Sequence, residues 1–276
     1  MAYSQPSLLS DALSVLQEAE TRVVAGGTDF YPAMQPGQQP TSLLDITRID
    51  GLSDITQDHE GVRFGAAVTW SDVIKADLPP GFDALKQAAR EVGSLQIQNA
   101  GTVAGNICNA SPAADGVPPL LALDAKVELC SAERGVRVIP LSAFITGVRQ
   151  TTLAKDELVT AILVPQCPPG MRSGFEKLGS RRYLVISIVM TAANVVLDKQ
   201  GKVTEARIAV GACSAVAQRL ADLEADLIGQ DPRALWITQA HLAPLAPIDD
   251  VRGSGDYRLA AAAEQIQRSF LRAIET

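Results

Sequence analysis

Apolar and polar positions alternate along residues 1–55 in the spacings of a small helix–strand lobe. Four apolar residues recur at the three- and four-residue intervals of an amphipathic helix, Leu9, Ala12, Leu13 and Leu16. This pattern predicts a helix over 7–19, and the apolar runs 22–25 and 42–46 predict two buried strands after it. Thr28 and Asp29 stand where they can cap a short helix between the strands.

The middle of the chain, residues 56–167, alternates short apolar runs with turn signals and helical spacings. It predicts strands at 61–66, 126–130, 136–139 and 156–165, and helices at 83–92 and 118–123. The polar segment 131–135 is typical of a hairpin turn, and Ser71 with Asp72 is expected to cap a helical turn. Pro168, Pro169 and Gly170 then interrupt regular structure, so we expect a domain boundary there.

The last part of the chain predicts a strand hairpin followed by helices. Strands are expected at 186–197 and 203–210, and helices at 218–228, 233–242 and 258–272. This order indicates an α+β layer. The expected domains are therefore 1–167, with lobes at 1–55 and 56–167, and 168–276.

Composition limits the classes of partner. The chain has 276 residues, 47% of them hydrophobic and 20% charged, which is typical of a packed protein. Its net charge of −7 argues against nucleic acid or an anionic membrane as the main partner. No apolar run is long enough for a membrane span, and the first residues lack the features of a secretion signal. We therefore expect a cytoplasmic protein.

The four cysteines are too widely spaced for a zinc or iron–sulfur site, so no metal site is expected. We expect reduced thiols, and for Cys108 a role in lining a site and not a reactive one.

Two glycine-rich segments suggest anion binding. In Ala25-Gly26-Gly27-Thr28-Asp29, the glycines permit positive φ and close approach of the backbone to a ligand. A plain strand-to-helix turn would use the same residues. The spacing is not that of a Rossmann fingerprint, and the chain has no P-loop lysine.

The second segment, 101–106, is expected to be a polar loop that exposes backbone N–H groups. Asn109 and Ser111 follow with further polar groups, and Pro112 stiffens the exit. Asp115 carries the wrong charge for a phosphate, so its expected partner is a hydroxyl, such as a ribose or ribityl diol, or a backbone amide. It could equally be the N-cap of the helix that follows.

These segments, in order, give the chain its resemblance to a known family. The motifs are Ala25-Gly26-Gly27-Thr28-Asp29, Thr102-Val103-Ala104-Gly105-Asn106, and Ser111-Pro112 followed by Asp115. Together they resemble the FAD-binding medium subunit of molybdenum hydroxylases, which include xanthine and carbon monoxide dehydrogenases. The resemblance extends over nearly the whole chain, through 120–125, Phe175-Glu176-Lys177 before Arg181-Arg182, and 250–258.

The resemblance implies an α+β fold and FAD as the cofactor. The fold would be a two-lobed FAD-binding domain of the vanillyl-alcohol-oxidase (PCMH) type, then a domain of antiparallel sheet and helices like the C-terminal domain of carbon monoxide dehydrogenase flavoproteins. By position, the first lobe would contact the diphosphate through Val23, Val24, Ala25, Gly26, Gly27, Thr28, Asp29 and Phe30. The second would contribute Thr102, Gly105, Asn106, Cys108, Asn109, Ala114 and Asp115.

The resemblance also implies contacts at the two ends of the cofactor. Val92, Gly93 and Ile97 would contact the adenine side, and Val159 and Lys177 would approach the flavin. Lys177 could otherwise be an exposed strand lysine. Tyr183 and Ile186 are possible flavin-face residues, although Tyr183 could instead pack in the core.

Two departures from the family pattern stand out. Ala104-Gly105 replaces the two glycines that many relatives have, and FAD binding is expected to survive this change if Ala104 has negative φ. Tyr183 and Leu184 stand where relatives often have acidic residues, which bears on the choice of electron acceptor.

The function implied is electron transfer, with no catalytic residue in this chain. Electrons would come from a large molybdopterin-cofactor subunit through a small [2Fe–2S] subunit, reach FAD here, and leave to NAD⁺, a quinone or O₂. The complex would be a dimer of heterotrimers. The alternative is a self-sufficient FAD-dependent oxidase or reductase of the same superfold. A third class, an assembly protein without FAD, is disfavoured by the intact glycine motifs.

Overall fold

The computed structural model describes residues 2–18, 20–35, 37, 40–182 and 184–275. The strands are β1 (Ala2–Ser4), β2 (Thr21–Val24), β3 (Ser42–Asp45), β4 (Ile55–Gln57), β5 (Gly61–Gly65), β6 (Lys126–Ser131), β7 (Gly135–Pro140), β8 (Ile145–Gly147), β9 (Gln150–Thr151), β10 (Glu157–Pro165), β11 (Arg172–Leu178), β12 (Val189–Leu197), β13 (Val203–Gly211) and β14 (Gln218–Arg219). The α-helices are α1 (Leu9–Glu18), α2 (Phe30–Ala33), α3 (Trp70–Lys75), α4 (Asp83–Glu91), α5 (Leu95–Ala100), α6 (Val103–Asn109), α7 (Val117–Ala122), α8 (Leu141–Phe144), α9 (Ala221–Leu227) and α10 (Gly255–Glu275).

Two sheets share the larger hydrophobic core. The first is parallel, with strand order β1-β3-β2, and the second is antiparallel, with order β4-β5-β10-β6-β7. Leu44 of the parallel sheet, Phe64 and Leu129 of the antiparallel sheet and Val103 of α6 belong to one buried cluster. Val103 belongs to the second glycine-rich segment, so burial of this cluster fixes that segment in the core.

The third sheet is antiparallel, with order β11-β12-β13-β14, and it is covered on both faces. Thr191 of β12 faces α10, because its hydroxyl donates to the Gln265 carbonyl at 2.9 Å. Its neighbour Met190 packs into the larger core, and Asn194 donates to the Gly81 carbonyl at 3.0 Å. A strand buried on both sides needs apolar residues at nearly every position, which explains the run Val189–Leu197.

An α+β architecture with these sheets agrees with the fold class expected from the sequence, but several element predictions were wrong. The expected loop at 101–106 is a helix start, since α6 begins at Val103. The helix expected at 233–242 is absent apart from a 3₁₀ turn at Pro232–Ala234. The helix expected at 218–228 is a short strand followed by α9. The cap expected at Ser71 is provided by Thr69, which forms a capping box with Asp72.

Strand β11 was missed, because its polar residues obscure the alternation. Counting backbone and side chain together, Glu176 and Lys177 are partly buried. Gly174 packs closely against α10. A methyl group at Gly174 would lie 2.3 Å from the Ser269 carbonyl oxygen. No helix within the ranges described is long and apolar enough to cross a membrane.

Arg258 joins the start of α10 to the ends of two strands. Its guanidinium donates to the carbonyl oxygens of Ile188 at 2.7 Å and Ala212 at 3.2 Å, and it is 3% exposed. Asp250 accepts from Arg258 at 2.7 Å and from the backbone N–H of Arg252 at 2.8 Å. These bonds hold the pKa of the Asp250 carboxyl at about 2, with the Arg252 N–H as the largest cause.

We expect the Asp250 interactions to make stability sensitive to acid. A carboxyl whose pKa falls from 3.8 to about 2 on folding stabilises the fold above pH 3.8 and loses that contribution as the pH falls toward 2. Asp250→Asn should therefore unfold more readily than the wild type at pH 7, and the difference should shrink between pH 4 and pH 2. Denaturant unfolding at a series of pH values measures this.

Asp256→Asn, at an exposed position in the first turn of α10, is the control for loss of a carboxylate near this helix end. A constant difference between Asp250→Asn and wild type across the acid range would contradict the assignment.

Candidate cofactor-binding site

The two glycine-rich segments lie in direct contact. A methyl group added at Gly26 would lie 1.8 Å from the carbonyl oxygen of Ala100, which is far inside van der Waals contact. One added at Gly101 would lie 3.3 Å from Oγ1 of Thr28. Glycine is needed at position 26 because the backbone of the first segment passes directly over the end of α5.

Successive backbone donors of the first segment have no acceptor among the described residues. Gly27 has φ +68°, and the N–H groups of Gly26, Gly27, Thr28 and Asp29 donate to no other part of the chain that the structure describes. Asp29 precedes α2 without a side-chain capping bond, so the cap expected there is not formed by a side chain. Successive unpaired N–H groups in a turn attract an anion, and a diphosphate fits this requirement.

The second segment is held in place by the turn before α3. Thr102 is the N-cap of α6, and its Oγ1 accepts from the Gly105 N–H at 3.0 Å. The Trp70 N–H donates to Gly101 at 3.1 Å, and the Val103 N–H donates to Val68 at 3.0 Å. Ala104 lies within α6, where φ is negative, so the alanine is accommodated as expected.

Asn106 has a buried carbonyl oxygen that needs a partner. Its Oδ1 has no hydrogen-bond donor among the described residues. A methyl group at Gly116 would lie 3.0 Å from this oxygen and 2.4 Å from the Trp70 ring. The lack of a side chain at Gly116 therefore leaves room for the Asn106 oxygen. A buried unpaired acceptor is costly, and a bound ligand with a donor group would remove that cost.

The C-terminal end of α6 is fixed by a residue that the sequence did not single out. Ala110 adopts a left-handed conformation with φ +47°, and its carbonyl accepts from the Arg149 N–H at 2.9 Å. The Arg149 guanidinium also donates to Oδ1 of Asn109. Arg149 itself has φ +57°. Little in the sequence indicates this role for Arg149, because the turn between β8 and β9 has no glycine at that position to mark a positive φ.

The Cys108 thiol next to this end of α6 is unreactive by environment. Burial raises the pKa of Cys108 to about 12, so the thiolate is not formed at neutral pH.

Asp115 has protein partners on both carboxylate oxygens. Oδ2 accepts from Nζ of Lys177 at 2.6 Å, and Oδ1 accepts from Oγ of Ser187 at 2.6 Å. The Lys177 ammonium also donates to the Glu91 carbonyl at 3.2 Å. Burial raises the pKa of the Asp115 carboxyl, and the Lys177 charge opposes that rise.

This geometry removes two alternatives that the sequence left open. Asp115 is not a helix N-cap, because Gly116 occupies the position before α7. Lys177 is not an exposed strand lysine, since its side chain is 6% exposed. Ser187, which the sequence did not predict as a site residue, lies in this cluster.

The remaining predicted positions differ in burial. Gly93 has φ +52° and packs on Ile97, and the Gln98 side chain donates to the carbonyls of Arg90 and Val92. The buried ones are Val24, Ala114 and Val159, and the partly exposed ones are Val23, Ala25 and Phe30. Ile186 is exposed, and Tyr183 lies outside the described residues.

A cavity of about 460 Å³ opens beside Lys177, between α4, β11 and the segment after β11. Its lining is rich in cations, with Arg90, Lys177, Arg181, Arg182 and Arg272 against Glu91 and Glu176. Arg181 donates to the Leu184 carbonyl at 3.1 Å, which folds the segment back on itself.

Comparison with known proteins identifies the family of both parts of the chain. Residues 1–167 match the FAD binding domain in molybdopterin dehydrogenase, and residues 175–273 match the CO dehydrogenase flavoprotein C-terminal domain. The chain is 29% identical to the nicotine 6-hydroxylase medium subunit of Paenarthrobacter nicotinovorans, over 98% of this chain and 96% of the relative. It is 32% identical to the xanthine dehydrogenase FAD-binding subunit of Escherichia coli O157:H7, over 94% and 90%.

The fold also matches solved structures. Carbon monoxide dehydrogenase from Oligotropha carboxidovorans superposes with a TM-score of 0.90 at 26% identity, over 99% of this chain and 97% of that one. The enzyme from Hydrogenophaga pseudoflava gives 0.88 at 27%, over 100% and 97%. The chain belongs to the family of FAD-binding medium subunits of molybdenum hydroxylases. It is accordingly a flavoprotein subunit of an oxidoreductase, with FAD as its cofactor.

We expect Gly26→Ala to reduce FAD retention strongly. The added methyl group would meet a backbone oxygen, so the segments around Gly26 and Ala100 must separate and the row of N–H donors must shift. The ratio of flavin to protein after purification with added FAD measures this. Gly51→Ala is the control, because Gly51 has φ +77° but no atom near an added methyl group. Equal flavin content in both variants would contradict the assignment.

Proposed function

We propose that this chain relays electrons between the metal centres of partner subunits and a terminal acceptor. The donor is a small [2Fe–2S] subunit, which receives electrons from a large subunit that carries the molybdopterin cofactor. The acceptor is NAD⁺, a quinone or O₂. The observation that carries the proposal is the contact between two segments whose unpaired N–H donors and orphaned Asn106 oxygen suit a dinucleotide.

The residues that would hold FAD fall into three groups. The N–H groups of Gly26, Gly27, Thr28 and Asp29 would bind the diphosphate, with Val23, Val24, Ala25 and Phe30 beside them. The helix start at Thr102, Gly105 and Asn106 would contact the diphosphate and ribityl parts from the other side, where a ribityl hydroxyl could donate to the Asn106 oxygen, with Cys108, Asn109 and Ala114 lining the site. Val92, Gly93 and Ile97 would contact the adenine side, and Val159, Lys177 and Ile186 the flavin side, together with Asp115.

FAD accepts two electrons and can release them singly or as a pair, so when bound it can join one-electron centres to two-electron acceptors. The chain supplies binding and electrostatics. The N–H row would stabilise the diphosphate charge, and the Asp115–Lys177 pair fixes a buried ammonium group. We place no acid–base catalyst in this chain, because hydroxylation of the substrate belongs to the large subunit in this proposal.

Support for partner subunits comes from the relatives. The matched proteins are named as medium chains or as FAD-binding subunits, which are parts of multi-subunit enzymes. A dimer of heterotrimers and a cytoplasmic location form part of the same proposal. So does a domain boundary near Cys167, between the two matched segments.

We expect the FAD-loaded chain to be reduced only in the presence of its partners. Co-expression with the neighbouring reading frames should yield a complex that contains flavin, iron and molybdenum, and an aromatic N-heterocycle or aldehyde substrate should bleach its flavin absorbance. The isolated FAD-loaded chain should show no reduction by the same substrates. Anaerobic stopped-flow reoxidation by NAD⁺, a quinone and O₂ in parallel then identifies the acceptor, and native mass measures the assembly.

Two outcomes would overturn the relay. Turnover of a substrate by the isolated chain would favour the self-sufficient flavoenzyme. Purification without flavin absorbance despite added FAD, alone and in the complex, would remove both flavin functions and favour an assembly role.

A further inference from the structure

Ser187 is a buried polar residue whose hydroxyl bonds to Asp115 of the candidate site. It is 2% exposed, and its Oγ donates to Oδ1 of Asp115 at 2.6 Å. The other oxygen of Asp115 accepts from Lys177 at 2.6 Å. Lys177 lies at the end of β11 and Ser187 just before β12, so a single carboxylate bonds both ends of the connection between these strands.

The position of Ser187 is fixed by its neighbours in the chain. The Ile188 N–H donates to the Leu178 carbonyl at 2.7 Å, which closes the base of the 179–187 connection. The Ile188 carbonyl accepts from Arg258 at 2.7 Å. The backbone on the C-terminal side of Ser187 is therefore held from two directions, which fixes the position from which its hydroxyl donates to Asp115.

We propose that Ser187 is a positioning residue for FAD: its hydroxyl holds the Asp115 carboxylate so that the Lys177 ammonium stays at the flavin side of the site. The inference rests on the proposed assignment of Asp115 and Lys177 to FAD. It adds a residue from the C-terminal part of the chain and gives a role to the base of the 179–187 connection.

The physical reason is the sharing of one buried negative charge between two donors. Without the Ser187 hydroxyl, Oδ1 of Asp115 loses its donor in a buried place, and the carboxylate is left with Lys177 as its partner. The carboxylate is then free to rotate, and the ammonium bonded to it moves with it, away from the cofactor. An ammonium held at the flavin favours the more negative, reduced cofactor, so its withdrawal lowers the midpoint potential.

The test compares Ser187→Ala and Ser187→Cys with Ser173→Ala in the full chain loaded with FAD. Ser173 is a matched control, because it is a fully buried serine on β11 whose hydroxyl accepts from the Ala84 N–H at 2.9 Å and donates to the Pro80 carbonyl at 3.1 Å, away from Asp115. Ser187→Cys keeps a side chain of similar size with a weak donor, so it serves if the alanine variant fails to fold.

For both Ser187 variants we expect FAD to bind on the order of tenfold more weakly, as for loss of one hydrogen bond to a charged group. The flavin midpoint potential should also be lower than in the wild type. Fluorescence titration measures FAD affinity, and spectroelectrochemistry measures the midpoint potential. Thermal melting without FAD measures stability alone. Ser173→Ala should have a lower melting temperature than the wild type but the same flavin midpoint potential.

An unchanged midpoint potential in the Ser187 variants, or an equal change in Ser173→Ala, would overturn the positioning role. Asp115→Asn separates this from failure of the site itself. If Asp115→Asn binds FAD as the wild type does, the assignment of Asp115 and Lys177 is wrong. If it weakens FAD while the Ser187 variants do not, only the inference about Ser187 fails.

Discussion

A buried ion pair between Asp115 and Lys177 joins the two parts of this chain at the candidate cofactor site. Each charge alone would be unfavourable in the interior, and loss of one partner from such a pair typically costs about 3–5 kcal/mol. The Glu91 carbonyl and the Ser187 hydroxyl take up further bonding capacity of the two groups. The arrangement is therefore stable only when α4, the start of α7, β11 and the start of β12 are all in place.

Strand β12 of the four-stranded sheet is buried on both faces. Met190 and Ala192 of β12 pack into the larger core while their neighbours face α10. Ser173 of β11 bonds with both Pro80 and Ala84 across the same interface. Burial along this surface positions Lys177, and its ion pair with Asp115 then links β11 to the segment before α7. Packing and electrostatics thus constrain the same interface.

Much of the candidate site could be predicted from order and residue type, but its contacts could not. The glycines at 26 and 27, Asn106 and Asp115 stood out because they occur in ordered motifs at the separations of a known family, whereas either segment alone is a weak signal. Ser187 and Arg149 did not, since a serine between apolar residues and an arginine in a turn have no distinctive pattern. Their roles depend on tertiary contacts with residues 72 and 40 positions away in sequence. Local propensity carries no information about such pairs.

The errors in the fold have the same origin. The segment 101–106 is rich in glycine, which disfavours helix, yet α6 begins there because Thr102 caps it and Val103 is buried in the core. The helix expected at 233–242 had suitable spacing, but Leu235 and Ile237 pack against the C-terminal core from irregular backbone. In both places tertiary burial overrides local preference. Because the ion pair joins residues from both matched segments, 1–167 and 175–273, the second segment contributes directly to the candidate site and is not a separate appendage.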